Sequence, residues 1–224
     1  MLSAKELVAC EENFPFWKTL SEQGKQTLLN GTISFTHPPG AIVHEDRNKC
    51  TGLLMLISGQ LRIYIVNEQG KQITLYRLFD RDVCVLSASC LIRNITFDVH
   101  VSSEKTSYML RIATDAYQSA GKNNPQLLDF TNQLVSSRFS DVMWVVEQVV
   151  FMKFDQRLAL HLLERSAIEQ SDTFKATHEA IARDLGSARE VVTRMLSRFA
   201  EENLVSLSRG GITLVDRRRL TELT

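Results

Sequence analysis

The side chains with the most definite chemistry lie between Thr177 and Phe199. Arg189, Glu190, Thr193 and Arg194 fall within six residues of each other, and each is suited to the edge of a DNA base. Arginine can hold guanine through two parallel hydrogen bonds, and glutamate can accept from cytosine N4. With a period of 3.6, Val192, Leu196 and Phe199 share one face, while Arg189, Glu190, Thr193, Arg194 and Ser197 are left on the others. A helix entering the major groove must expose such groups near its N-terminus. An ordinary amphipathic helix with solvated charges would have the same pattern, so the spacing needs support from its surroundings.

A second group of reactive types is formed by Cys84 and Cys90, which flank the five residues Val-Leu-Ser-Ala-Ser. A reactive thiol needs an exposed, electropositive setting, and Arg81 and Arg93 are near in sequence. The alternative is that each is a small buried apolar residue. The chain has no nucleophile elbow, P-loop, dinucleotide glycine pattern or zinc-binding histidine pair, so no catalytic or metal residues are assigned and no enzyme is expected.

The elements around these groups can be read from periodicity. Between Ile33 and Ile112, short β-rich runs (40–44, 53–57, 61–66 and 72–76) are divided by the turn residues 38–40, 58–59 and 67–70. Alternation of Leu61, Ile63 and Ile65 predicts a strand with one buried face, and the whole predicts an antiparallel roll or barrel. From Pro125 to Met152 the period changes to seven. Leu128, Val135, Val142 and Val149 form one series, and Thr131, Arg138, Val145 and Met152 its companion. That predicts a long helix with a coiled-coil seam for a second copy; Arg138 in mid-seam argues against pairing, although a single polar seam residue can set register at a cost in stability. Packing of this helix on its own β-domain is the competing expectation.

Beyond Phe154 the chain is expected to be helical. Thr177 is a plausible N-cap, Gly186 can take the left-handed conformation that ends a helix, and Ser187 with Glu190 matches a capping box for the next one. Two apolar runs around Arg209-Gly210-Gly211 predict a β-hairpin, hence a winged helix-turn-helix. Thr177, Ser187 and Arg209 are expected to touch the DNA backbone. The domain expectation is a β-roll with an N-terminal helical segment over 1–124, a dimerisation helix over 125–152 and the DNA-binding domain over 153–224.

Composition is consistent with this α+β organisation. In 224 residues, 44% hydrophobic and 23% charged side chains suit a folded chain with its own cores. Charges at Lys5, Glu6, Glu11 and Glu12 interrupt the N-terminal apolar residues, unlike a secretion signal. The apolar stretch 142–152 is much shorter than the roughly 20 residues of a membrane span. A cytoplasmic protein with four free thiols is expected. A net charge of zero gives no support to nucleic-acid binding, which must rest on local pattern.

At this point a resemblance becomes specific. The stretch from Thr177 to Val215 resembles the DNA-binding domain of the Crp/Fnr family, and Arg189, Glu190 and Arg194 match the R-E-x-x-x-R pattern of its cyclic-AMP receptor branch. Pro39-Gly40, Ile57-Ser58-Gly59 and the helix from Pro125 to Met152 are similar to that family's roll and dimer helix, so the resemblance spans nearly the whole chain. It implies a homodimer on palindromic DNA, with Arg189, Glu190 and Arg194 reading a half-site similar to TGTGA and contacts with RNA polymerase. Thr193 stands where the Fnr branch has a serine, which leaves a TTGAT-like element open.

The effector is not assigned by the resemblance. The cyclic-nucleotide cassette, G-E-x-x-L followed by R-S or R-T, has no counterpart between Phe79 and Thr96, which argues against cyclic AMP. Only Cys10 lies near the N-terminus, unlike the cysteine cluster of the iron–sulfur branch. Cys84 is similar to a cysteine of the haem branch, whose histidine is replaced here by apolar residues around Leu86. Haem and an iron–sulfur cluster stay open as readings. Arg81, Cys84, Ser87, Ser89, Cys90 and Arg93 are expected to line the effector pocket. A roll whose C-terminal domain contacts proteins instead of DNA is the alternative function.

Overall fold

The computed structural model describes residues 2–44, 51–87 and 99–224. Its contacts divide into two compact units, one of Met1–Ile65 with Leu75–Val142 and the other of Val66–Thr74 with Met143–Thr224.

The first unit begins with helices α1 (Ala4–Asn13) and α2 (Glu22–Asn30), joined through a 3-10 turn at Pro15–Thr19. Eight described strands follow: β1 (Thr32–His37), β2 (Ile42–His44), β3 (Leu53–Ser58), β4 (Leu61–Val66), β5 (Gln72–Leu78), β6 (Val83–Cys84), β7 (His100–Ser103) and β8 (Ser107–Ile112). They form two four-stranded sheets in the orders β1-β8-β3-β6 and β2-β7-β4-β5, with antiparallel pairing, which is a roll. Helix α3 (Thr114–Gly121) leads to the long α4 (Pro125–Phe151). Asn124 starts that helix by accepting from the Leu127 amide at 2.9 Å, and Pro125 needs no amide partner at the first position.

The continuous apolar run of β3 is buried at Leu53, Leu54, Met55 and Leu56, because the sheet is covered on both sides. Phe14, Phe16, Phe130 and Tyr117 pack ring against ring at centroid distances of 5.1–6.1 Å and tie the N-terminal segment to α4. Strand β4 departs from the expectation of a single buried face. Arg62 and Tyr64 are buried as well, because Arg62 lies 4.2 Å over the Tyr64 ring and Tyr64 stacks on His100.

The second unit contains α5 (Phe154–Glu169), β9 (Thr173–Lys175), α6 (His178–Leu185), α7 (Arg189–Glu201), β10 (Val205–Ser208), β11 (Gly211–Leu214) and α8 (Arg217–Leu223). The strands form a small sheet in the order β10-β11-β9. The uninterrupted helical reading beyond Phe154 therefore needs correction: Phe174 pairs with Ile212, and its buried ring makes β9 the third strand.

The expected seam of α4 is divided between internal and exposed positions. Val135 and Val142 pack on the roll core, Thr131 Oγ1 meets Tyr117 Oη at 2.9 Å, and Arg138 turns onto the Tyr76 ring at 4.8 Å. Those four central positions are engaged inside the chain, while Leu128 and Val149 of the same series are exposed. Among the exposed apolar residues of α4, Phe139, Met143, Val146 and Val150 have spacings of four, three and four and form a seam in another register.

At the turn after β3, Gly59 has a φ of +118°, and a Cβ there would stand 2.6 Å from the Thr106 carbonyl oxygen. Gly59→Ala should therefore destabilise the roll by about 2–4 kcal/mol, read as a lower denaturation midpoint. An unchanged midpoint would contradict this account of the turn.

Candidate nucleic-acid interface

Helices α6 and α7 are held by one core. Ile181 and Leu185 of the first, and Val192, Leu196 and Phe199 of the second, are buried with Leu158, Leu162 and Ile212. Thr177 caps α6 by accepting from the Ala180 amide at 3.1 Å. Gly186 closes the helix in the left-handed region with φ of +60°, where an L side chain is strained. Arg157 adds a guanidinium hydrogen bond to the Leu185 carbonyl at 2.6 Å.

The capping box expected at Ser187 does not form. The Ser187 amide donates to the Ala182 carbonyl at 2.9 Å, which makes Ser187 part of the termination of α6. Ala188, in extended conformation, becomes the N-cap of α7 and provides no side-chain bond. The first amides of α7 are thus left without a side-chain cap, at the end of a helix dipole that favours an anion.

Arg189, Glu190, Thr193, Arg194 and Ser197 are all exposed on α7. Among the described residues, no side chain pairs with Arg189, Glu190 or Arg194. Three other arginines of this unit are paired. Arg198 binds Glu202 at 2.7 Å, Arg217 binds Asp172 at 2.8 Å, and Arg218 binds Glu222 at 2.9 Å. The fork-shaped donors of α7 left for an external partner are therefore in its first half. Arg209 is exposed in the two-residue turn Arg209–Gly210 between β10 and β11.

One contact had no periodic signal in the sequence. The Thr193 hydroxyl oxygen lies 2.8 Å from His178 Nδ1 and 2.9 Å from the Arg189 carbonyl oxygen. It links the start of α6 to the middle of α7, across fifteen positions of sequence.

Of the residues expected around an effector, the described ones are Arg81, Cys84 and Ser87, of which Cys84 and Ser87 are in contact and Arg81 is on the surface. Arg81 is exposed and pairs with Glu12 at 3.2 Å. Ser87 is buried, and its hydroxyl oxygen lies 2.8 and 3.1 Å from the Gly52 and Cys84 carbonyl oxygens. Ser89, Cys90 and Arg93 lie outside the described residues. Cys84 is fully buried, and burial raises its thiol pKa, which is the reverse of the exposed, electropositive setting expected for it. Beside it, the buried Tyr76 hydroxyl has no hydrogen bond of normal geometry among the described residues, nor has Arg138 Nε, while Arg138 Nη1 binds Asp141 at 2.8 Å. No group of three His, Cys, Asp or Glu side chains among the described residues is arranged to hold a metal ion.

A double-sheeted roll, a long helix and a winged helix-turn-helix with unpaired arginines define a DNA-binding regulator. Residues 156–223 match the model of the Crp-like helix-turn-helix domain. The chain is 45% identical to a solved structure described as a transcriptional regulator of the Crp/Fnr family from Eubacterium rectale. That match covers 95% of this chain and 98% of the other, with a TM-score of 0.91. It is also 27% identical over 178 residues to the transcriptional regulator SdrP of Thermus thermophilus, covering 75% of this chain and 81% of the relative. A global nitrogen regulator of Synechococcus elongatus is 27% identical over 168 residues, covering 71% of this chain and 75% of its own length. The chain belongs to the Crp/Fnr family of transcriptional regulators, and its roll has the fold of that family's effector-binding domain. The family consists of regulators, not enzymes. No helix among the described residues is long and apolar enough to cross a membrane.

Because burial governs Cys84, a small alkylating reagent at pH 8 should leave it unmodified in the folded protein and modify it after denaturation. Peptide mass spectrometry checks this. Rapid modification of Cys84 in the folded chain would contradict the buried placement.

Proposed function

We propose that this regulator binds a palindromic operator as a homodimer, with Arg189, Glu190, Thr193 and Arg194 reading each half-site. The observation that carries this reading is the unpaired, exposed set Arg189, Glu190 and Arg194 on α7, while Arg198, Arg217 and Arg218 are in surface ion pairs. Two such helices on a symmetric dimer would enter successive major grooves roughly 34 Å apart. A half-site similar to TGTGA fits the arginine and glutamate types. Thr177, Ser187 and Arg209, at the edges of the motif, are suited to phosphate contacts. RNA polymerase is the further partner inferred from family membership.

The dimer reading is supported by the seam of Phe139, Met143, Val146 and Val150 on α4, exposed between 44% and 66% in the single chain. Apolar side chains at heptad spacing gain burial by pairing with a second helix.

Control is proposed to originate in the roll. Arg138 of α4 lies over Tyr76, and the Tyr76 hydroxyl is beside Cys84, so an effector that changes this neighbourhood acts directly on the long helix. The effector must favour one of two α4 arrangements energetically for such a switch to work.

Arg194→Ala should cost about 1–3 kcal/mol on the operator and relax specificity at one base pair per half-site, measured by titrating the protein against single-base operator variants. Equal weakening on all sequences would mark Arg194 as a phosphate contact. Replacing Phe139 and Val146 together by lysine should yield a monomer in analytical ultracentrifugation with the roll still folded. A persistent dimer would place the interface elsewhere.

A further inference from the structure

Thr193 has one hydroxyl hydrogen and two close partners inside the domain. The Arg189 carbonyl can only accept, so a bond to it consumes the hydrogen, and His178 Nδ1 must then donate to the Thr193 oxygen. In the other tautomer the hydrogen goes to His178 Nδ1 instead. Either way, the hydroxyl hydrogen is retained within the protein and only oxygen lone pairs are left for an outside partner. The first arrangement makes two hydrogen bonds where the second makes one, and it is favoured for that reason.

The contacts also fix the rotamer. Threonine in a helix divides between two χ1 wells, one of which places its oxygen near the carbonyl four residues back. His178 reaches that same well from α6 and holds the oxygen there. Thr193 is exposed and shares a helix face with Arg189, at i,i+4 spacing, so a group read by Arg189 has Thr193 as its neighbour.

We propose that His178 is a positioning residue for DNA reading: with the Arg189 carbonyl it keeps the Thr193 hydroxyl an acceptor only, selecting a base that carries an exocyclic amine. In the major groove those bases are adenine, through N6, and cytosine, through N4; guanine and thymine present oxygen acceptors there and are disfavoured. The inference rests on the placement of α7 in the major groove.

The test is selection of bound duplexes from a randomised double-stranded DNA library by the full-length protein, compared with Thr193→Val, Thr193→Ser, His178→Ala and His178→Asn. The wild-type chain is expected to prefer adenine or cytosine about tenfold at one position of each half-site. Thr193→Val and His178→Ala should both lose that preference while retaining the rest of the motif. Thr193→Ser should retain it, as should His178→Asn, whose amide nitrogen is a donor in the place of Nδ1. Guanine or thymine at the Thr193-dependent position would overturn the proposal; thymine retained in Thr193→Val would show the methyl-bearing side to be the reading group. A uniform loss on all sequences in both His178 variants would also overturn it, leaving His178 a structural or phosphate-binding residue. If the wild-type chain enriches no sequence, the DNA-reading function itself fails, and this inference with it.

Discussion

The long helix α4 cannot give its whole apolar surface to its own domain. One stripe, with Leu127, Phe130, Leu134, Val135 and Val142, is committed to the roll, and the aromatic cluster of Phe14, Phe16 and Phe130 fixes its first turns. An adjoining stripe, with Phe139, Met143, Val146 and Val150, is left to solvent in a single chain. This division makes one helix both a wall of the sensor and the natural place for a second copy. Arg138 is at the junction of the two roles. It is half-buried toward Tyr76, bound to Asp141, and only one position from exposed Phe139.

A similar economy governs charge in the DNA-binding unit. The chain has no net charge, yet its electrostatic footprint depends on which arginines are free and not on how many there are. Arg198, Arg217 and Arg218 are in mostly exposed pairs with carboxylates, which contribute little stability. Arg189 and Arg194 keep their donors available. A motif partitioned in this way is suited to distinguishing sequences more than to binding any duplex tightly.

Much of this architecture was legible in the sequence. The strand runs at 53–57, 61–66 and 72–76, the Gly186 turn and the hairpin at Arg209-Gly210 depend on local chemistry, and local chemistry is what a sequence displays. The errors arose where a pattern has two physical meanings. A heptad of Val135 and Val142 looks alike whether it faces a second chain or its own roll, and only the Tyr117 and Tyr76 contacts of Thr131 and Arg138 decide it. Ser187 has the type and spacing of a cap, but its amide was already required to close α6. Cys84 carries no mark that separates a reactive thiol from a core residue. The His178–Thr193 contact joins positions on two helices and leaves no periodic trace.

The central claim is that a symmetric pair of α7 helices reads DNA. Hydroxyl-radical footprinting of the full-length protein on a duplex recovered by selection tests it most directly. The account predicts two protected segments related by two-fold symmetry and centred about one helical turn apart. A single asymmetric footprint, or uniform protection along the duplex, would contradict it.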